Sequence, residues 1–183
     1  MRPMTEQNMI DAFGGESMAH MRYRIFAEQA DKEGFSNVAR LFRAIADAEF
    51  VHAGDHYKVL RHLNDGRVAG SMGAFGPGDT AKNLGLAVAG ETYEVEEMYP
   101  SFMAIAEHQN EKGAYRSFQW SYETEKMHKA LFEKAQQAVE KGDDVDLGPV
   151  QVCSVCGYTI EGEAPDRCPV CNALKEKFTA YEA

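Results

Sequence analysis

A chain of 183 residues, 44% of them hydrophobic, is long enough for one domain of ordinary size and a small appendage. Its formal net charge of −10 argues against nucleic acid or an anionic membrane surface as the main partner, because both select for basic patches. No apolar run approaches the roughly 20 residues of a membrane span, and the start, Met1-Arg2-Pro3-Met4-Thr5-Glu6, carries no signal-peptide apolar segment, so the cytoplasm is the expected compartment.

Taken in order, a first helix is predicted from Thr5, as N-cap, to about Lys32, with Gly34 as its stop. Its apolar stripe reads Met9, Phe13, Glu16, His20, Tyr23, Ala27 and Ala30. A second helix is predicted from Ser36 or Asn37 to about Asn64, with the stripe Val38, Phe42, Ile45, Glu49, His52, His56 and Leu60. Residues three apart share a helix face, so Glu49 and His52 point the same way and interrupt that stripe. The glycine-rich stretch Asp65–Asp79 is long for a hairpin and suits a crossover. A third helix begins near Thr80 and reads Leu84, Val88, Glu91, Val95, Met98, Phe102 and Ile105, with Glu94 one turn beyond Glu91; Pro100 should kink it. After a break at Asn110 to Gly113, a fourth helix repeats the step as Glu125-Lys126-Met127-His128, on the stripe Phe118, Ser121, Glu125, His128, Phe132, Ala135 and Val139, and ends near Gly142. Four helices of roughly 28 residues, about 40 Å each at 1.5 Å per residue, imply a bundle. Lys141 to Val150 is charged and contains Gly and Pro, which divides the chain into a bundle (1–142), a linker (143–150) and a small module (151–183).

A buried carboxylate is protonated, paired or bound to a metal, because leaving it ionised and alone costs many kcal/mol. Counting from the connecting turns puts Glu16 level with Glu49, and Glu94 level with His128, so the interrupting residues meet near mid-bundle. A glutamate from each of two helices plus Glu-x-x-His from each of the other two is the carboxylate-bridged di-iron or di-manganese pattern of ferritin-like bundles. The module carries all four cysteines, Cys153, Cys156, Cys168 and Cys171, as two Cys-x-x-Cys knuckles separated by eleven residues. Four thiolates so spaced can close a tetrahedron around zinc or iron, and so small a module depends on that metal to fold.

Gly15-Glu16-Ser17-Met18-Ala19-His20-Met21-Arg22-Tyr23, Ala48-Glu49-Phe50-Val51-His52, the run from Gly90-Glu91-Thr92-Tyr93-Glu94 to Tyr99-Pro100 and the cysteine module together resemble rubrerythrins, over essentially the full length. The resemblance implies a mainly α fold, a ferritin-like di-iron four-helix bundle followed by a rubredoxin-like one-iron domain. It implies that Glu49 and Glu125 bridge two irons, that Glu16 and Glu91 bind terminally and that His128 ligates the second iron. His52 and Glu94 would be alternative ligands of the first iron, exchanged with redox state, and Tyr23 and Tyr99 would hydrogen-bond the ligand carboxylates. The expected activity is a non-haem peroxidase that reduces hydrogen peroxide to water. Electrons would arrive through the cysteine-bound iron from a donor protein, a rubredoxin or a reductase, in a homodimer or higher homo-oligomer. The residues alone support a redox di-metal bundle with a one-metal thiolate module, which leaves a ferroxidase, or a non-catalytic protein with a zinc-ribbon appendage, as alternatives. His20 and His56 are expected to be histidines without metal. Asn172 stands where rubredoxin knuckles carry glycine.

Overall fold

In a computed structural model the chain forms four long helical rods and a three-stranded sheet; residues 1–76 and 78–182 are described, so Pro77 of the crossover and Ala183 lie outside. The rods are α1 (Pro3–Glu33), α2 (Ser36–Val59), α3 (Thr80–Tyr93) continued through a π-helical turn (Glu94–Met98) into α4 (Tyr99–His108), and α5 (Lys112–Val139). The cysteine module follows as β1 (Val150–Cys153), β2 (Thr159–Glu161) and β3 (Phe178–Tyr181), antiparallel in the order β2-β1-β3. Among the described residues no helix is long and apolar enough to cross a membrane.

Three boundaries differ from the sequence-based expectation. Thr5 does not cap α1: Pro3, which has no N–H to leave unpaired, starts the helix, and Thr5 is buried with its hydroxyl donating to Gln109. Gly34 does end α1, in the left-handed conformation. Helix α2 stops at Val59 and not near Asn64; of Arg61 to Asp65 only Leu63 packs against the interior, and the other four residues are polar. The irregularity expected at Pro100 lies one turn earlier. There the Tyr99 N–H reaches back five residues to the Glu94 carbonyl, so the widened turn precedes a proline that has no N–H to give.

The crossover is strapped along α1. Gly70 N–H donates to Asp11 Oδ1 at 2.7 Å, the Ser71 hydroxyl donates to the Asp11 carbonyl, and Asp79 caps α3 through the Lys82 N–H. The segment between bundle and module is also packed. Asp144 accepts from the first free amides of α2, Asn37 at 2.8 Å and Val38 at 3.2 Å. Arg40 donates to the carbonyls of Leu147, Gly148 and Tyr181, while Val145 and Leu147 bury their side chains in the cluster that contains Phe42 and Phe132.

Two apolar clusters fill the bundle. One gathers Phe26, Phe42, Leu84 and Phe132; the other gathers Met9, Leu60, Tyr99 and Phe118. A layer of fully buried acids and histidines lies in the same interior: Glu16, Glu49, His52, His56, Glu91, Glu125 and His128.

Candidate metal centres

Each polar side chain reaches this layer from the core-facing stripe of its own helix. Glu16 comes from α1, Glu49 and His52 from α2, Glu91 from α3, and Glu125 and His128 from α5. Their donor atoms form two groups, each with all atoms within 4.8 Å of one another: Glu16, Glu49, His52 and Glu125 in one, Glu49, Glu91, Glu125 and His128 in the other. Glu49 and Glu125 belong to both. They stand where carboxylates bridging two ions would stand, with Glu16 and Glu91 at opposite ends.

The unpaired atoms argue for cations here. Glu16 Oε2, Glu91 Oε2 and His52 Nε2 are shielded from water without a hydrogen-bond partner, and the bridging-position carboxylates are faced only by histidine: Glu125 Oε1 lies 2.8 Å from His52 Nδ1, and Glu125 Oε2 and Glu49 Oε1 lie 2.6 and 3.1 Å from His128 Nδ1. Burial first, then neighbouring carboxylates, push Glu16 and Glu91 well above the usual carboxylate range. Burial also works to raise Glu49 and Glu125, but for both the two histidines outweigh it and hold them below that range. Protons and imidazolium thus supply only part of the positive charge that this many acids require, and two divalent ions fit the donor set and supply the rest.

Further hydrogen bonds orient the donors. Tyr23 donates to Glu91 Oε1 at 2.6 Å, and Tyr99 donates to Glu16, so each terminal glutamate is held by a tyrosine from the opposite helical rod. The Tyr99 oxygen accepts from His56 Nε2 at 3.1 Å, and His56 Nδ1 accepts from the Ser117 hydroxyl at 2.8 Å. That chain keeps His56 neutral: burial and then the nearby charge of His52 draw it down to about 3, and neither donor group includes it. His20 lies at the flank, its Nδ1 2.7 Å from the Ala46 carbonyl, also outside both groups. Glu94 opens the π-helical turn and is half-buried. It falls outside both groups, whereas His52 is inside.

Four sulfurs form the second centre. Cys153 and Cys171 Sγ are 3.7 Å apart and Cys156 and Cys168 Sγ 3.6 Å, too far for disulfides. A tetrahedron with metal–sulfur bonds of about 2.3 Å has edges of ~3.8 Å, so the four thiols already sit at the corners of such a site. Each knuckle turns through a left-handed residue, Gly157 at φ 77° and Asn172 at φ 63°. Asparagine adopts that conformation more readily than other residues with a side chain, and Asn172 makes the same backbone bond to its knuckle, N–H to Cys168 O, that Gly157 makes to Cys153 O.

The first knuckle rests on the bundle. A Cβ built at Gly157 would overlap the His52 ring, 2.6 Å from Cδ2, and stand 3.1 Å from the Ala48 carbonyl oxygen. Two residues on, the Thr159 hydroxyl donates to the Gly157 carbonyl and its oxygen accepts from His128 Nε2 at 3.0 Å. This holds a proton on His128 Nε2, so Nδ1, 2.6 Å from Glu125 Oε2 and 3.1 Å from Glu49 Oε1, is the nitrogen that would give its lone pair to a metal once it sheds its proton. Gly157 and Thr159 were invisible as site residues in the sequence, because their role exists only across the contact between module and bundle.

Residues 7–136 match the family model described as rubrerythrin, and residues 151–179 match the rubrerythrin rubredoxin-like domain. The chain belongs to the rubrerythrin family. Rubrerythrin-2 of Clostridium acetobutylicum is 41% identical over 97% of both chains, and nigerythrin of Nitratidesulfovibrio vulgaris is 32% identical over 97% of this chain and 86% of its own. The solved structure of fully reduced nigerythrin superimposes with a TM-score of 0.84 over 97% of this chain and 86% of that one. A bacterioferritin of Mycobacterium tuberculosis, 17% identical, superimposes at 0.68 over 78% of this chain and 90% of its own, which shows the ferritin-like fold alone. As a rubrerythrin family member the protein is an oxidoreductase whose cofactor is iron, with a di-iron site candidate in the bundle and a four-cysteine site in the rubredoxin-like domain.

Proposed function

We propose that this protein is a peroxidase that reduces hydrogen peroxide to water, H2O2 + 2 e− + 2 H+ giving 2 H2O, with electrons delivered through its own thiolate module. The observation that carries this reading is the seating of Gly157 and Thr159 on His52 and His128, which joins the four-sulfur site to the carboxylate site through a few bonds. Nigerythrin, similar along nearly the whole chain, has a structure described as fully reduced and all ferrous, so in that protein the irons accept electrons. The carboxylate set would hold the iron that gives the two electrons to the O–O bond, and the four thiolates the iron that would replace them.

In this reading Glu49 and Glu125 would be shared between two irons, with Glu16 and His52 holding one and Glu91 and His128 the other. Tyr23 and Tyr99 are kept protonated by burial, and then by the charge of Glu91 and of Glu16 respectively, so they act as fixed donors that orient those carboxylates. Glu94, outside both donor groups, would be the carboxylate to take the place of His52 on oxidised iron, since a hard oxygen ligand suits the ferric state better than imidazole. An external one-electron donor, a rubredoxin or a reductase, refills the thiolate module.

The test is anaerobic. Reduced, iron-loaded protein is titrated with peroxide; one peroxide per two electrons, with water as product, is expected. A faster oxidation of added ferrous iron than of peroxide would make the protein a ferroxidase, and a colourless module holding zinc would remove the relay.

A further inference from the structure

Peroxide reduction consumes two protons, yet the six residues of the donor groups are sealed from water, each 1% exposed or less. Protons must come in through hydrogen-bonded groups, and the partners of those six can be followed outward. His128 leads to the Thr159 hydroxyl, which gives its proton to the Gly157 carbonyl, and there the path ends. Glu91 leads to Tyr23, whose hydroxyl has no second partner among the described residues. Glu16 is joined to a longer run. It accepts from Tyr99, the Tyr99 oxygen accepts from His56 Nε2 at 3.1 Å, and His56 Nδ1 accepts from the Ser117 hydroxyl at 2.8 Å.

That run draws one member from each rod: Ser117 from α5, His56 from α2, Tyr99 from α4 and Glu16 from α1. Its hydrogens all point inward. Tyr99 gives its only hydrogen to Glu16, so His56 must supply the one between them from Nε2 and take one at Nδ1 from Ser117. Tyr99 and His56 are fully buried beside Phe118, in an apolar cluster that offers loose water nothing to bond. Ser117 is 5% exposed and lines a cleft of about 770 Å3 between α2 and α5, walled also by His62, Arg116, Trp120 and the knuckle residues Ser154 and Val155. A cleft of that size and polarity holds water, so one end of the run meets solvent and the other a metal-side carboxylate.

We propose that Ser117, His56 and Tyr99 are a relay that carries protons from this cleft to Glu16 during peroxide reduction. An acid in the cleft, hydronium or a buffer acid, protonates Ser117 Oγ as the Ser117 hydroxyl proton moves to His56 Nδ1, the His56 Nε2 proton to the Tyr99 oxygen and the Tyr99 proton to Glu16 Oε1. One proton leaves the cleft and one arrives at the carboxylate. Each member between gains a proton as it gives one, so none is left charged and Tyr99 is never without its hydrogen. The hydroxyls and the imidazole then turn back for a second passage, and the reaction asks for only two per peroxide. The use of the relay rests on the peroxide reduction proposed above; its existence as a path does not.

The test uses the full-length protein in two forms. With diamagnetic zinc in its metal sites and isotope-labelled histidine, NMR reads which His56 nitrogen carries the proton and how fast that proton exchanges with water. In wild type it should sit on Nε2 and exchange about tenfold faster, or more, than the proton on His128 Nε2, which is as deeply buried but whose path ends at Gly157. Ser117→Val and Ser117→Thr have one shape and differ by a hydroxyl: valine should slow the exchange by a similar factor, and threonine should keep it. With iron, oxidation of the reduced bundle by peroxide should be about tenfold slower in Ser117→Val than in Ser117→Thr at equal iron content, with a larger solvent deuterium isotope effect. His56 protonated on Nδ1, exchange no faster than at His128, or equal exchange in the two variants overturns the relay. Fast, Ser117-dependent exchange in a protein that leaves peroxide unreduced upholds the path and overturns the peroxidase reading instead.

Discussion

Replacing Gly157 by alanine should separate the two centres without emptying either. The left-handed backbone at φ 77° costs a residue with a Cβ about 1–2 kcal/mol, and the new methyl would sit 2.6 Å from His52 Cδ2, where ordinary carbon contacts are about 3.5–4 Å. The knuckle must retreat by roughly 1 Å, which also stretches the Thr159–His128 bond, worth about 1 kcal/mol. The backbone cost weighs on docked and undocked forms alike, so docking is disfavoured by the overlap with His52, about 1–3 kcal/mol, and by the weakened bond, in all about 2–4 kcal/mol or a factor of roughly 30 to 900 in the docked population. The thiolates close their own tetrahedron and the carboxylates theirs, so metal content should hold. Stopped-flow measurement should show normal oxidation of pre-reduced bundle iron by peroxide, and a transfer from thiolate iron to bundle iron slowed at least tenfold. Asn172→Ala is the matched control: it carries a similar backbone cost on the exposed knuckle and should leave transfer alone. Transfer at the wild-type rate in Gly157→Ala, with both centres loaded, would refute the reasoning.

Iron-replete protein should hold about three irons per chain, and Cys153→Ser with Cys156→Ser should lower this to two and abolish the red ferric-thiolate absorption; metal analysis and a visible spectrum check both. Glu94→Ala should keep most of the bundle iron, because the six residues of the two donor groups remain, yet lose peroxide turnover; full iron loss or unchanged turnover counts against the exchange. Without metal, stability should fall as pH rises. Burial opposes the charge on His128, but Glu49 and Glu125 outweigh it and hold the group at about 9 against 6.5 unfolded, so its contribution is complete below about 6.5 and on the order of 3 kcal/mol is lost by pH 9. Metal-loaded protein should show the opposite trend, since ligands must shed protons to bind; parallel trends in urea titrations would contradict this. A homo-oligomer, at least a dimer, is expected, covering the exposed Met21, Ile25, Phe50 and Tyr57 of α1 and α2; sedimentation of wild type and Phe50→Asp tests it.

The bundle was legible because its stripes are regular: every member of the α2 and α5 stripes, acids and histidines included, is buried. On α1 the reading slipped at Phe13 and His20, which the structure turns to the flank while Ala12 and Ala19 take the core side. Past Glu94 it slipped again, for a definite reason. Eight residues from Glu91 to Tyr99 in an unbroken α-helix advance about 800°, roughly 80° beyond two turns, which would swing Tyr99 off the core face. The π-helical turn absorbs one residue, and Tyr99 and Ala106 are buried in place of the expected Phe102 and Ile105. Proline announced an irregularity but not its kind. The docking of the module was beyond reach, because nothing local to Gly157, Thr159 or Arg40 states which surface each will meet.

The packed stretch between bundle and module changes where this chain can be cut or recombined. A protease, or a gene fusion, that severed it after Gly142 would remove Asp144 from the open end of α2 and all three carbonyls that hold Arg40, and would lift Val145 and Leu147 out of the interior. The bundle left behind would have a frayed start to the same helix that carries Glu49 and His52. Exchange of the metal modules between relatives should therefore succeed only when residues 143–150 travel with the bundle they clasp, and limited digestion of the metal-loaded protein should spare that stretch despite its charged, glycine-containing sequence.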